Sequence, residues 1–329
     1  MTADDHRRAA LVVNPVKADA PRLQRLLVDL SNEAGWAEPE IIETSVDDPG
    51  QQATRRALDG AAAVLVAGGD GTVRAVSEAM ARSEVPLAII PSGTGNLLAR
   101  NLGLPLADPR RMIRAVFEGD VHDVDVGWAE FTRDDGSRDE HAFVVLAGIG
   151  LDADMIANTR PALKKSMGWV AYVDGAARSL TAAEPFRVVY SIDDERLHSV
   201  KVQSMLFANC GTLPAGIALI PDASIADGGL DVAVIQPRGP FGWLAVWRTV
   251  WWQNSVLRRT ETGRRMIAWG GQNRSVRYLR GASAEAAATE ARPVELDGDE
   301  FGEAVRIRCR IDPGALRIVF PAGMDVARL

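Results

Sequence analysis

The sequence predicts a protein of α/β plus β class: an N-terminal parallel α/β domain followed by a C-terminal antiparallel, β-sandwich-like domain. Three observations carry this expectation. Through roughly the first 125 residues, apolar runs alternate with amphipathic segments in the order βαβαβ, which calls for a parallel sheet with helices on both faces. Two strand-to-helix turns in that half are rich in glycine, Gly68-Gly69-Asp70-Gly71-Thr72 and Pro91-Ser92-Gly93-Thr94-Gly95-Asn96. After Gly127 the pattern becomes one of short alternating strands separated by turn residues, as in antiparallel sandwiches.

In chain order, Ala9 to Val13 (AALVV) is a short buried strand ending in the turn signal Asn14-Pro15. Arg22 to Glu33 places Leu23, Leu26, Leu27 and Leu30 at helical spacing, an amphipathic helix. Glu40 to Glu43 is a second strand, followed by Thr44, and Gly50 to Leu58 a second helix. Ala62 to Ala67, small and branched, reads as a strand buried on both faces, with a helix-like segment from Val73 to Met80 behind the first glycine turn. Pro86 to Ile90 is the next strand and Leu97 to Leu102 the next helical segment. In the second half, strands are expected over Phe143 to Leu146, Phe186 to Ile192, Val200 to Ala208, Leu230 to Ile235 and Val276 to Leu279. Thr132 to Glu140 is a charged hairpin tip, Ala282 to Arg292 a strand or a mobile loop, and Ala304 to Ile311 and Ala315 to Phe320 the final strands.

At 329 residues the chain has room for two domains of ordinary size. Its 47% hydrophobic and 25% charged residues are those of a globular protein, neither disordered nor fibrous. A formal charge of −7 excludes a broad electrostatic footprint for nucleic acid, so any basic patch must be local. Cys210 and Cys309 have no metal-ligand spacing and read as buried thiols in a reducing compartment. The opening residues MTADDHRRAALVV lack the h-region and cleavage pattern of a signal peptide, and no apolar run reaches transmembrane length. A cytoplasmic protein is expected.

The first glycine turn is where chemistry is expected to be anchored. Glycines at a strand-to-helix turn permit positive φ and bring backbone N–H groups close to a ligand, and the helix N-terminus behind them favours an anion. A phosphate is the natural guest; an ordinary βα turn that merely needs glycine is the alternative. Asp70 sits poorly with simple anion binding, and makes sense if a divalent metal or a hydroxyl is also held there. A second such turn at Gly93 allows one nucleotide to be faced from two sides.

The segments LVVNP, VAGGDGTVRAVSEAM and LAIIPSGTGNLLARNLGLP resemble the catalytic domain of the diacylglycerol kinase family, bacterial lipid kinases related to sphingosine kinases. HAFVVLAGIGLDADMI with KKSMGWVAYVDGAARSL is similar to the start of that family's second domain, FANCGTLPAGIALIPDASIADGGLDVAVI to its glycine-rich hairpin and metal-site segment, and VELDGDEF to its late catalytic motif. The resemblance implies a nucleotide-binding domain of residues 1–125, to which about 304–329 return at the end of the chain, and a β-rich lipid-substrate domain of residues 126–303.

It also implies roles. ATP would lie between Asn14, Thr44, the turn of Gly68, Gly69, Asp70, Gly71, Thr72, Val73 and Arg74, and Thr94, with Asn96 nearby; Asp70 would sit close to the phosphates or their Mg²⁺. A structural Mg²⁺ would be held by the Asp227 carboxylate and the backbone carbonyls of Ser224 and Gly229, hard oxygen ligands that suit it; without the resemblance, Asp227-Gly228-Gly229 reads as a plain hairpin turn. In the late motif, relatives commonly read DGE where this chain has Asp297-Gly298-Asp299. The expected base is therefore Asp299, one methylene shorter. Glu300 ranks second because neighbours on a strand point oppositely, and Asp70 stands as the alternative catalytic acid–base group. Asp152 matches a position associated with the lipid headgroup, or is an acid capping a turn.

Phe241 to Arg259 sets Trp243, Trp247 and Trp251 at fourfold spacing, with Trp252, Arg248, Arg258 and Arg259 close by. Such a stripe suits transient contact with a membrane surface, at the inner face for a cytoplasmic enzyme, or packs on the sandwich or a second subunit; a homodimer stays open. The expected activity is transfer of the γ-phosphoryl group of ATP to a hydroxyl of a lipid such as diacylglycerol or a sphingoid base. An NAD kinase-like enzyme, which shares the GGDG turn, and a non-catalytic nucleotide- or lipid-binding protein are the alternatives.

Overall fold

The computed structural model describes residues 7–150, 185–213, 217–218, 220, 223–236 and 276–326. They divide into two compact units, one of Met1–Val126, Ile225–Gly228 and Asp312–Leu329, the other of Gly127–Ser224 and Gly229–Ile311.

The first unit begins with strand β1 (Ala9–Val13), helix α1 (Ala20–Glu33), β2 (Glu40–Glu43), α2 (Gln51–Ala57), β3 (Ala63–Gly68), α3 (Asp70–Met80), β4 (Leu87–Pro91), α4 (Leu97–Asn101) and α5 (Pro109–Glu118). β1 and β3 are buried along their whole length, which is why their runs carry no polar alternation. Asp19 starts α1 by accepting the Arg22 N–H at 3.1 Å, and the helix buries Leu23, Leu27 and Leu30. α3 begins three residues earlier than its apolar periodicity suggests, because the glycine turn itself winds into the helix. α5 is absent from the sequence-based expectations. Its start is nonetheless written in Asp108-Pro109: the Asp108 carboxylate accepts the Arg111 N–H at 2.9 Å and Pro109 fills the first turn.

Strands β1 to β4 lie in the order β4-β3-β1-β2, all parallel. The end of the chain adds to this sheet, with Ile318 opposite Leu87 in parallel register, so the chain end returns to the first unit as expected. Leu11, Leu65, Ile89 and Ile90 form the centre of its core, with Leu27 and Met80 from the covering helices.

The remaining strands are β5 (Asp120–Thr132), β6 (Arg138–Phe143), β7 (Leu146–Ile149), β8 (Phe186–Ile192), β9 (His198–Val202), β10 (Ser204–Ala208), β11 (Thr212–Leu213), β12 (Ile217–Ala218), β13 (Leu230–Ile235), β14 (Val276–Gly281), β15 (Ser283–Leu296) and β16 (Asp299–Phe320). In the second unit the pairings are antiparallel, in the order β14-β13-β10-β7-β15-β16, with β8 and β9 following from β15 and β5 pairing β6. Its core gathers Phe131, Phe143, Phe207, Leu296 and Ile307.

Three details depart from expectation. The strand expected over Phe143–Leu146 is broken at Val144-Val145, between β6 and β7, because those amides turn aside to a buried carboxylate described below. The Val200–Ala208 run is interrupted at Gln203, whose N–H donates to Ile235 O at 2.9 Å. The two final strands are one continuous β16, while Ser283–Arg292, expected as a strand or a mobile loop, is strand and lies within β15.

Candidate functional site

β1 and β3 are adjacent, with β2 beyond β1 and β4 beyond β3. The chain therefore reverses its direction of progress between β1 and β3, the position at which an open parallel sheet leaves a crevice at its carboxyl edge. Asn14 follows β1 and Gly68-Gly69 ends β3 at that edge. The Asn14 N–H donates to Ala67 O at 2.8 Å, and its Nδ2 donates to Thr72 Oγ1 at 3.3 Å. The Thr44 N–H donates to Val13 O at 2.9 Å, which sets Thr44 beside Asn14. Asn14, Thr44 and the first glycine turn thus share one edge.

The second turn is locked onto the first. A Cβ on Gly68 would stand 2.6 Å from Thr72 Cβ, and one on Gly93 2.9 Å from Gly69 Cα; one on Gly95 would collide with the Asp70 carboxylate. Only glycine fits at these contacts. The Asp70 carboxylate accepts the Asn96 N–H at 3.1 Å and the Leu97 N–H at 2.5 Å, while Asn96, in the left-handed region at φ 48°, exchanges hydrogen bonds of 2.9 Å with the Gly93 N–H and C=O. Asp70 therefore caps α4 from another element. α3, which starts at Asp70, has no side-chain cap, and its first backbone bond runs from the Val73 N–H to Gly69 O at 3.0 Å. Its opening amides face the crevice edge, as in anion-binding helix starts.

Of the other nucleotide candidates, Thr94 is exposed at the turn, whereas Val73 and Arg74 direct their side chains inward. Arg74 is buried with Glu78 at 3.7 Å, so its part at this edge is that of backbone.

The loop containing Ser224, Asp227 and Gly229 is organised by Asp125, which the sequence reasoning missed. Asp125 is 3% exposed; its carboxylate accepts the Gly228 N–H at 2.7 Å and the Gly314 N–H at 2.8 Å, and its own N–H donates to Ile225 O at 2.7 Å. The signal was an acid between two apolar residues, Val124-Asp125-Val126, since a carboxylate buried in a strand must be satisfied somewhere. Asp227 itself is exposed. Its carboxylate with backbone carbonyls is a hard-oxygen donor set that fits Mg²⁺.

In the second unit, Asp297-Gly298 is a two-residue turn between Leu296 and Asp299, with φ of 52° and 90°, the hairpin geometry that Asp-Gly favours. It is more than a turn. The buried Asp297 carboxylate accepts the N–H groups of Val144, Val145 and Leu146 at 2.9, 2.8 and 2.9 Å. Cys210 lies beside it, donating from Sγ to Val144 O at 3.2 Å, and burial, then the charge of Asp297, push its thiol well up. Asp299 opens β16 and is exposed. Arg133 secures that strand from the expected charged tip: it donates to Phe301 O at 2.6 Å and Glu303 O at 3.0 Å while paired to Asp139. Glu295, also missed, is buried in β15, and burial, then Glu300, then Asp297 raise its carboxyl from 4.5 to about 7.

Asp152 and the tryptophan segment Phe241–Arg259 lie outside the described residues. Among those described, no helix is long and apolar enough to cross a membrane.

Comparison with known proteins matches residues 8–129 to the diacylglycerol kinase catalytic domain and residues 143–320 to the YegS C-terminal NAD kinase beta sandwich-like domain. A Pseudomonas aeruginosa protein named "Probable lipid kinase YegS-like" is 29% identical over 310 residues, covering 92% of this chain and 91% of its own. A diacylglycerol kinase from Bacillus anthracis shares the fold with a TM-score of 0.70 at 22% identity, over 98% of this chain and 99% of its own. An NAD kinase from Archaeoglobus fulgidus is a more distant fold relative, with a TM-score of 0.51 at 14% identity over 96% and 94% of the two chains.

Proposed function

We propose, from the premise that the chain belongs to the diacylglycerol kinase catalytic-domain family and is a phosphotransferase with an alcohol acceptor, that it phosphorylates a lipid hydroxyl, with diacylglycerol as the first candidate and a sphingoid base as the second. The observation that carries the reading is the pair of glycine turns at the β1–β3 crevice, cross-linked by Asp70.

ATP provides the phosphoryl group, and Mg²⁺ neutralises charge on its phosphates. The residues of this chain do the rest. The opening amides of α3, over Gly69 to Thr72, cradle phosphate oxygens, and the absence of a side-chain cap on α3 leaves its positive end for them. Asp70 takes the amides of the neighbouring α4, which fixes the second turn as the other wall. Asn14, Thr44, Thr94 and Asn96 frame the nucleotide. Asp227, with the Ser224 and Gly229 carbonyls, would hold a structural Mg²⁺ in the loop that Asp125 pins. Asp299 accepts the hydroxyl proton as the lipid oxygen bonds to the γ-phosphorus and the bond to the β–γ bridging oxygen breaks, releasing ADP; positioning and charge stabilisation contribute most of the rate. Asp70 is the weaker candidate for base because its oxygens already accept backbone amides. The reading places the enzyme in the cytoplasm, visiting the membrane surface to collect its substrate.

ATP consumption measured with diacylglycerol, a sphingoid base, phosphatidylglycerol and NAD tests the reading. Turnover with a lipid is expected. Turnover with NAD alone assigns the NAD kinase reaction instead, and no turnover with any acceptor assigns a binding protein.

A further inference from the structure

The hairpin that carries Asp299 also carries a glutamate with no evident reason to be buried. Glu295 is 6% exposed. It stands directly opposite Glu300 across the β15–β16 pair, next to the Leu296–Asp299 pair that closes the turn. Directly opposed residues share a face of the sheet, so the two glutamates look at one another. On its other side Glu295 is opposite Gly148 of β7, and a Cβ there would come within 3.4 Å of its Cγ and Oε1 and 3.1 Å of Leu206 Cδ2. Gly148 therefore lies in van der Waals contact range of the glutamate, which is packed against β7 on that side.

Among the described residues, the charged groups acting on it are both negative: Glu300 from β16 and Asp297 from the turn. β7 (LAGI) and β10 (SMLFA) bring no charged residue, and no ion pair to Glu295 occurs among the described residues. Asp297 has three amides to compensate its charge, whereas Glu295 has no such set. A carboxyl in this setting is held neutral.

We propose that Glu295 is a positioning residue that works in its protonated form: neutral, it lets β15 and β16 close in register behind Asp299, and ionised, it sets like charges across the Glu295–Glu300 pair and loosens the end of the hairpin. The effect on rate rests on the reading of Asp299 as the base; the effect on the hairpin does not. The pH range follows from the shift. An unfolded chain releases this proton near 4.5 and the folded chain near 7, so the stability it contributes is complete below about 4.5, is lost as pH rises to about 7, and is level above that.

Two measurements on the full chain test this. In thermal unfolding without substrate, Glu295→Gln, which copies the neutral carboxyl, is expected to melt about 5 °C or more above the parent at pH 8, with the gap falling by at least half at pH 5. In lipid phosphorylation, the parent rate is expected to fall about tenfold per pH unit above 7, Glu295→Gln to lose that alkaline limb, and Glu300→Gln, which removes the opposing charge, to make it shallower. A melting gap that is the same at both pH values overturns the proposal. So does a pH-dependent gap with an unchanged alkaline limb in Glu295→Gln, since the proton would then serve stability alone. A pH-dependent gap in a chain that phosphorylates no lipid supports the hairpin proton and removes the kinase reading instead.

Discussion

A carboxylate that accepts two backbone amides does different work from one exposed at a hairpin tip, and Asp70 and Asp299 show that contrast. Asp70 holds the Asn96 and Leu97 amides, so Asp70→Ala is expected to disorder the second glycine turn. Charge-assisted hydrogen bonds contribute about 1.5–3 kcal/mol, which corresponds to a rise in KM for ATP of roughly 10- to 100-fold, with kcat changed far less. Asp299→Asn is expected to do the reverse, lowering kcat by about 10²-fold or more while ATP titration gives an affinity within about threefold of the parent. Steady-state kinetics with calorimetric ATP binding separate the two, and a kcat loss in Asp70→Ala with ATP affinity intact would make Asp70 the base. At this scale the sequence located the two glycine turns and said less about what their side chains hold. The GGDG turn was legible from its glycines. That Asp70 reaches 26 residues along the chain to cap another helix was not, because a cap from a different element leaves no local pattern.

The same limit governs the elements. Strands buried on both faces, such as Ala9–Val13 and Ala63–Gly68, announce themselves by composition, and Asp-Gly at 297–298 announces its hairpin. The break at Val144-Val145 does not, because its cause lies 153 residues away in the Asp297 carboxylate. Asp125 is the parallel case, reaching 103 residues to Gly228 and 189 to Gly314. Asp297 stands in a recognisable Asp-Gly turn and Asp125 in no motif, yet the amides each carboxylate holds are recognised only once the fold is in view. Asp297→Ala removes the acceptor of three buried amides, each costing about 1–3 kcal/mol when left unmade. A loss of roughly 3 kcal/mol or more is expected in denaturant unfolding, together with exposure of the Cys210 thiol to alkylation, which the parent resists. For Asp125→Ala, the expected result is a weakened Mg²⁺ response: the rise in melting temperature on adding Mg²⁺, a linkage effect of binding to the folded state, shrinks to less than half that of the parent.

For the molecule as a whole, charge sets how a lipid surface can be met. With a formal charge of −7, the chain as a whole is repelled by an anionic bilayer, and screening acts over only about 10 Å at 0.1 M salt. Long-range attraction is therefore a poor source of membrane affinity, and no helix among the described residues can cross a bilayer. What the sequence offers instead is the aromatic stripe of Trp243, Trp247 and Trp251 with Arg248 beside it, suited to shallow insertion at the headgroup level. If that stripe makes the contact, binding depends on apolar burial and is nearly blind to salt. Sedimentation with vesicles of mixed zwitterionic and anionic lipid is expected to change by less than about threefold between 0.05 and 0.5 M salt, whereas a contact made by several basic residues would fall by orders of magnitude. Trp247→Ala with Trp251→Ala is expected to lower partitioning by at least about tenfold, the loss of about 1.4 kcal/mol, with the melting temperature retained. Normal vesicle binding by a folded double variant would place the stripe in the protein interior and leave the lipid to be reached through a local basic surface.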